Sequence, residues 1–261
     1  MEQIVTGPME RTIIKHIMRK YSILAFVFVF ALTIMEVFGL SLAHAFNPVF
    51  FAQNACQVRL AKLTYGGTAS PVTTHTITIP ATSTGNTLIV TATWAAPNCN
   101  LTSVTDNASG GSNSYVTTNA NGNYSFGTTS IWYAKNVKAG ATSVTISSST
   151  CVGEGVGVAI YEVAGLSATS PLDQASGTGE LGRSTTANAP LVTPTSACTF
   201  IVSAVCVETF VTSGTNAFTN FVDIYGNGQS YYLTQSASGS YGASWSLNSA
   251  GFYSASTVNF K

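Results

Sequence analysis

Two carboxylates, Glu162 and Glu208, are the side chains of this sequence best suited to acid-base chemistry. Each sits in a run of apolar residues, where desolvation raises a carboxyl pKa. A glycosidase needs only two such groups flanking a sugar bond. Nothing in the spacing of Glu162 and Glu208 places them opposite each other, so paired-carboxylate hydrolysis is the minor expectation. One histidine, His75, follows the N-terminal region, and a Ser-His-Asp or Cys-His site would have to use it. It shares parity with Ile77 and Ile79 and has no nucleophile motif around it, which makes it a structural histidine. No His/Cys cluster has zinc spacing. Asp106, Asn107 and Asp173 lie near turns and offer hard oxygen ligands for calcium, but no contiguous Asp-x-Asp loop holds them together. Asx turn capping is their simpler use. No catalytic residue, and no cofactor beyond speculative calcium, is assigned.

Aromatic residues give the stronger binding signal. Trp132, Tyr133, Tyr231, Tyr232 and Trp245 are flat rings able to stack on uncharged glycans. Adjacent members of a strand point to opposite faces, so Trp132 and Tyr133, or Tyr231 and Tyr232, send one ring each way. In a two-layer sandwich the outward ring is free to form a platform. Ordinary cross-strand packing is the competing use of such pairs. Trp94 sits on the apolar face of its strand and belongs to the core.

The elements that position these groups are strands. Leu88, Val90, Ala92 and Trp94 alternate with Thr87, Thr91 and Thr93, the pattern of a half-buried strand. Further strands are expected at 60–65, 72–79, 101–105, 114–118, 128–136, 143–148, 156–163, 218–224, 230–235, 243–247 and 253–260. Residues 199–211 are apolar at both parities, as in a central strand covered on both sides. Turn clusters such as Ser109-Gly110-Gly111-Ser112 separate some of these runs. The expected fold is all-β, an antiparallel two-sheet sandwich of jelly-roll type, preceded by an N-terminal signal helix.

Residues 1–45 read as a signal peptide. Arg11, Lys15, Arg19 and Lys20 precede an apolar run, and Ala43-His44-Ala45 is a small-x-small cleavage pattern. Met18 is an alternative start. An uncleaved anchor is the competing reading, opposed by Glu36 inside the apolar stretch. The segment 46–59 is an apolar mature N-terminus, and 60–261 forms one sandwich domain. If 46–52 does not pack on its own fold, it can add as a strand to the sheet edge of another copy and build a filament.

From residue 46 onward six basic residues (Arg59, Lys62, Lys135, Lys138, Arg183, Lys261) face seven acidic ones (Asp106, Glu154, Glu162, Asp173, Glu180, Glu208, Asp223). Without a basic stripe, nucleic acid is not an expected partner. The expected partners are uncharged glycans or other surface proteins, with self-association as an alternative and membrane contact only through an uncleaved signal. All five cysteines (Cys56, Cys99, Cys151, Cys198, Cys206) follow the signal, which suits a secreted or cell-surface location. Cys198 and Cys206 fall on one strand about 26 Å apart at about 3.3 Å per residue, too far to bridge. Counting strands up and down places Cys99 and Cys151 at one end, the favoured disulfide. Sequons begin at Asn100, Asn107 and Asn123, relevant only in a glycosylating host.

In order along the chain, Gly85-Asn86-Thr87-Leu88-Ile89-Val90, Val104-Thr105-Asp106-Asn107-Ala108, Ile131-Trp132-Tyr133-Ala134-Lys135-Asn136, Ser143-Val144-Thr145-Ile146, Tyr161-Glu162-Val163-Ala164-Gly165-Leu166, Ser170-Pro171-Leu172-Asp173 and Val258-Asn259-Phe260-Lys261 resemble a recurrent β-sandwich module of bacterial secreted and cell-surface proteins. The resemblance covers about residues 60–261 and implies an exported, non-catalytic module for adhesion, carbohydrate contact or surface structure. It brings no catalytic residues. The chain departs from that pattern in its cysteines, in the Gly110-Gly111-Ser112 loop and in Val163.

Overall fold

A computed structural model describes residues 56–70, 72–96, 99, 101–125, 127–148, 155–179, 182–215, 218, 220–224, 228–235 and 239–261. The signal, its cleavage site, the strand-donor segment and Cys151 lie outside the described residues. Residues Cys56–Lys261 form one compact unit.

In chain order the strands are β1 (Arg59–Thr68), β2 (Thr74–Thr78), β3 (Thr87–Trp94), β4 (Leu101–Asp106), β5 (Tyr115–Thr117), β6 (Gly122–Asn123), β7 (Thr128–Ala134), β8 (Ser143–Ser148) and β9 (Val156–Ala164). There follow β10 (Leu172–Gly179), β11 (Ser184–Asn188), β12 (Thr199–Val207), β13 (Val211–Thr215), β14 (Asn220–Ile224), β15 (Gly228–Gln235), β16 (Ser244–Gly251) and β17 (Tyr253–Phe260). They form four sheets rather than the expected two. One large sheet runs β1-β9-β3-β7-β5 with β6 also on β7, and the other runs β10-β17-β12-β15-β14. The small sheets run β2-β8-β4 and β11-β16-β13. All the pairings among these strands are antiparallel.

Period-two alternation sets the layering. Even residues of β3 and β9, such as Leu88, Val90, Val158 and Ile160, pack against Ile77, Val104, Val144 and Ile146 of the first small sheet. Their odd neighbours, Ile89, Ala159, Tyr161 and Val163, meet Phe200, Val202, Val258 and Phe260 of the second large sheet. Val205, Val207 and Ala255 then meet Ala187, Trp245 and Leu247 of the second small sheet. The order of layers is small, large, large, small.

This arrangement corrects the half-buried reading of β3, all eight of whose residues are buried. Its Thr face looks solvated in sequence but is pressed against the second large sheet. Thr91 and Thr93 remain satisfied there by donating to the carbonyls of Ala159 and Gly157, each at 3.4 Å. A buried hydroxyl with a partner avoids most of the desolvation penalty.

The second half repeats the strand order of the first. Exchanging β1, β2, β3, β4, β5, β7, β8 and β9 for β10 to β17 in turn converts one pair of sheets into the other, with β6 left over. Local irregularities repeat too. Bulges fall between Leu60 and Lys62 and between Leu172 and Gln174, at the start of each half. Others fall between Leu101 and Ser103 and between Val211 and Ser213, and in both the bulged threonine bonds the facing strand: Thr102 Oγ1 donates to Ser147 O at 3.0 Å, Thr212 Oγ1 to Ser246 O at 3.1 Å. After β2 and β11, Ile79 N donates to Thr142 O and Ala189 N to Ala243 O, both at 2.9 Å.

The halves are tied covalently. Cys56, just ahead of β1, is bonded to Cys198, just ahead of β12, across 142 positions of sequence. Cys198 and Cys206 do not bridge each other. Cys206 is buried and keeps its thiol, whose Sγ donates to Trp94 O at 3.2 Å. Cys99 is also disulfide-bonded.

Candidate functional site

Glu162 and Glu208 do not form a pair. Glu162 shares parity with Val158 and Ile160 and so faces the first small sheet, away from β12. Glu208 follows Val207, at the opposite end of β12 from Phe200, whose cluster contains Glu162's neighbours Tyr161 and Val163. They do not flank a common cleft.

Each carboxylate has its own partners. Glu162 Oε2 lies 2.7 Å from Lys62 Nζ, directly across the β1–β9 register. Its Oε1 accepts from Ser83 N at 2.8 Å and from Asn86 Nδ2 at 2.6 Å. Lys62 Nζ also donates to Ala81 O at 2.6 Å and Ser83 Oγ at 3.3 Å. Burial alone would push the Glu162 carboxyl up, but the Lys62 ammonium and the Ser83 and Asn86 donors hold it below its ordinary value. The raised pKa expected from sequence is therefore corrected: apolar neighbours in sequence were read as the environment, whereas the environment is a cation and two donors. The recess lined by Lys62, Thr64, Ile79, Pro80, Leu88, Ile160 and Glu162 holds about 10 Å³, room for about one water. Glu208 pairs with Arg183 at 2.5 Å and accepts from Phe252 N at 3.1 Å.

His75 lies on β2 opposite Ile146, where partial burial lowers its pKa and favours the neutral ring. The acids proposed for calcium occupy two separate places. Asp106 accepts from Ala108 N, Asn113 N, Asn113 Nδ2 and Tyr115 OH at 2.7–3.1 Å. Burial works to raise its pKa, and these donors overcome that and lower it. Desolvation and the Asp106 charge push the Tyr115 phenol strongly up. Asn107 Oδ1 accepts from Thr142 N and Ser143 N, which engages the amide of that sequon. Asp173 accepts from Thr195 N and Oγ1, Asn259 Nδ2 and Lys261 Nζ. These are loop-locking and strand-end networks. Among the described residues no three His, Cys, Asp or Glu side chains gather as metal ligands.

The aromatic pairs do point to opposite faces, but stacking four sheets sets a neighbouring layer against each face, which buries Tyr231 and leaves Trp132, Tyr133 and Tyr232 half-buried. Trp245 is 0 % exposed and Tyr231 3 %, their rings 5.2 Å apart between the second large and small sheets. Tyr232 stacks on Phe200 at 5.3 Å, and Tyr133 meets Phe260 edge-on at 5.5 Å, both between the large sheets. Trp132 packs on the first core. The ring expected to face solvent meets another sheet instead, so these five do not form one exposed platform.

A group that no sequence pattern marked comes together at turns. The Phe252 ring, between β16 and β17, lies 4.7 Å from the Tyr124 ring, and the Arg183 guanidinium sits 5.0 Å from its centroid. Arg183 also donates to Ala250 O at 3.1 Å and pairs with Glu208. Two residues beyond Glu208, Phe210 is 59 % exposed and is held by bonds with Asn248. Tyr124 and Phe252 are half-buried, so the cluster combines partly open rings with an exposed cation. Tyr124, Arg183 and Phe210 lie 128, 69 and 42 residues before Phe252, in loops without periodicity, which leaves no sequence signal to find them. No protein-family model matches the chain, and no curated protein is significantly similar to it.

Proposed function

We propose that the chain is a non-catalytic extracellular or cell-surface protein of adhesion, a rigid double sandwich presenting a contact patch at Tyr124, Arg183, Phe210 and Phe252. The observation that carries this reading is the partly exposed Arg–Phe–Tyr cluster, on a core that buries Trp94, Trp245, Tyr161, Phe200 and Phe260. Tyr, Phe and Arg are the residue types enriched in the cores of recognition surfaces. Ring faces and a guanidinium suit an uncharged glycan or a surface protein equally. The Cys56–Cys198 bond supports an oxidising compartment. The resemblance to exported bacterial modules points the same way. In each half the first, eighth, third and sixth strands are neighbours, facing the second, seventh and fourth, and we read this as a jelly roll whose fifth strand has moved to the larger sheet.

The test is binding by the full chain to glycan arrays and to intact cells. Loss of binding in Phe210→Ser and Arg183→Ala, with unchanged unfolding midpoints, supports the reading. Binding that survives both substitutions, or release of reducing ends from a bound glycan, refutes it.

A further inference from the structure

The geometry points to a self-formed amide cross-link between Lys62 and Asn86, with Glu162 carrying the protons. This is independent of the adhesion reading. The three residues meet at one end of three adjoining strands: Lys62 on β1, Glu162 on β9, which lies between β1 and β3, and Asn86 just ahead of β3, two residues before Leu88, which pairs with Glu162. One carboxylate holds both reacting groups, the Lys62 Nζ on Oε2 at 2.7 Å and the Asn86 carboxamide nitrogen on Oε1 at 2.6 Å. The backbone of Asn86 is fixed by Val137 N donating to its carbonyl at 2.9 Å. Glu162 is buried, its side chain 3 % exposed, while Lys62 at 30 % leaves an exit for a small product. Both groups are gathered on the two oxygens of one carboxylate, which makes the reaction intramolecular rather than bimolecular.

Atoms and charge balance without any other reactant. Oε2 takes a proton from the Lys62 ammonium, and the resulting amine attacks Asn86 Cγ. The new Nζ–Cγ bond forms as the Cγ–Nδ2 bond breaks. The protons shed by Nζ pass through the carboxylate to Nδ2, which leaves as ammonium, and Glu162 ends as it began, a carboxylate. The product ties the outermost strand of the first large sheet to β3 across β9.

A similar set, Lys261 and Asn259 on Asp173, supplies an internal comparison. Its lysine and asparagine are two residues apart at the end of β17, so an amide there would close no loop between strands.

Intact mass of the full chain, denatured and with disulfides reduced, decides the matter against the mass calculated between its own observed termini. The expected result is a deficit of one ammonia, mapped by peptide digestion to a branched peptide joining Lys62 and Asn86. Glu162→Gln and Lys62→Arg should restore the sequence mass. The full mass in the unaltered chain overturns the inference, whether or not the variants fold. So does an ammonia deficit mapped elsewhere, to Lys261 and Asn259 or to cyclisation at Asn121-Gly122.

Discussion

Removing the disulfide that joins the two halves should lower the stability of the whole molecule rather than loosen one corner of it. Replacing Cys56 and Cys198 together by alanine leaves no mispairing thiol at either site and keeps Cys99 and Cys206. The bond closes a loop spanning 142 sequence positions. On the chain-entropy relation a loop of that length restricts the unfolded state by about 5 kcal/mol, and measured losses for native disulfides run at about 2–5 kcal/mol. With a guanidinium slope of about 4 kcal/mol/M, the midpoint should fall by about 0.5–1.2 M, and the slope should rise as the freed unfolded chain exposes more surface. Equilibrium unfolding followed by tryptophan fluorescence reads this directly. The opposing outcome is a midpoint moved by less than about 0.2 M, with hydrogen exchange accelerated only near Gln57 and Val58. That result would mean the bond acts locally on the chain leading into β1, and the argument from loop length would fail.

Trp245→Ala should cost about 3–5 kcal/mol and Trp132→Phe less than about 1.5 kcal/mol, because only the first empties a fully enclosed site; denaturant unfolding of both variants checks the contrast. Asp106 has a folded pKa below its ordinary 3.8, so its contribution is fully present above that value and is lost as pH falls through the lower folded one. Asp106→Asn should therefore be the less stable protein near neutrality, the gap narrowing as pH falls below the ordinary carboxylate value and through the lower folded one, as read by urea unfolding across the acid range. Gly177→Ala places a Cβ 2.5 Å from Asn121 O, where strand and loop of the two large sheets touch, and should lower the melting temperature at a cost of about 1–3 kcal/mol. Gly182→Ala, with nothing within 4 Å, should leave it unchanged.

Strands that pack large side chains were legible, and strands that pack backbone were not. The alternation at 87–94, 143–148 and 253–260 matches β3, β8 and β17 residue for residue. β10 was missed because its sequence, LDQASGTG, carries no apolar stripe. Gly177 and Gly179 stand where the carbonyls of Asn121 and Asn123 come within 2.5 Å of a built Cβ, so glycine is what allows the two large sheets to touch there. β13 hides for the same reason, since the Tyr231 ring occupies the space above Gly214. The apolar run 199–211 predicts one continuous strand, but β12 stops at Val207 and the chain changes sheet through Glu208–Phe210 before β13. Alternation names the two faces of a strand without saying what lies beyond each. That is why the opposite faces of Trp132 and Tyr133, and of Tyr231 and Tyr232, follow from sequence, while the layer packed against each face does not.

The repeat within the chain escaped sequence reading because residue size moved between strands while backbone geometry stayed. In the first half, Ile77 of β2 and Ile79 just after it share a core with Val144 and Ile146 of β8. In the second half, the corresponding residues are Ala187 of β11 and Ala189 just after it, and Trp245 and Leu247 of β16. Volume lost from one strand reappears on its neighbour, which keeps the core filled at native density. A comparison of residue types therefore sees two unlike segments. What does not change is what side-chain size cannot replace: the bulges at Leu60/Lys62 and Leu172/Gln174, and the threonine hydroxyls of Thr102 and Thr212 closing the same bond to the facing strand. Bulges set the local twist and end the regular ladder, so two halves that share them bend their sheets alike. Matching curvature is what lets two large sheets lie face to face over Ile89, Tyr161, Val202 and Val258.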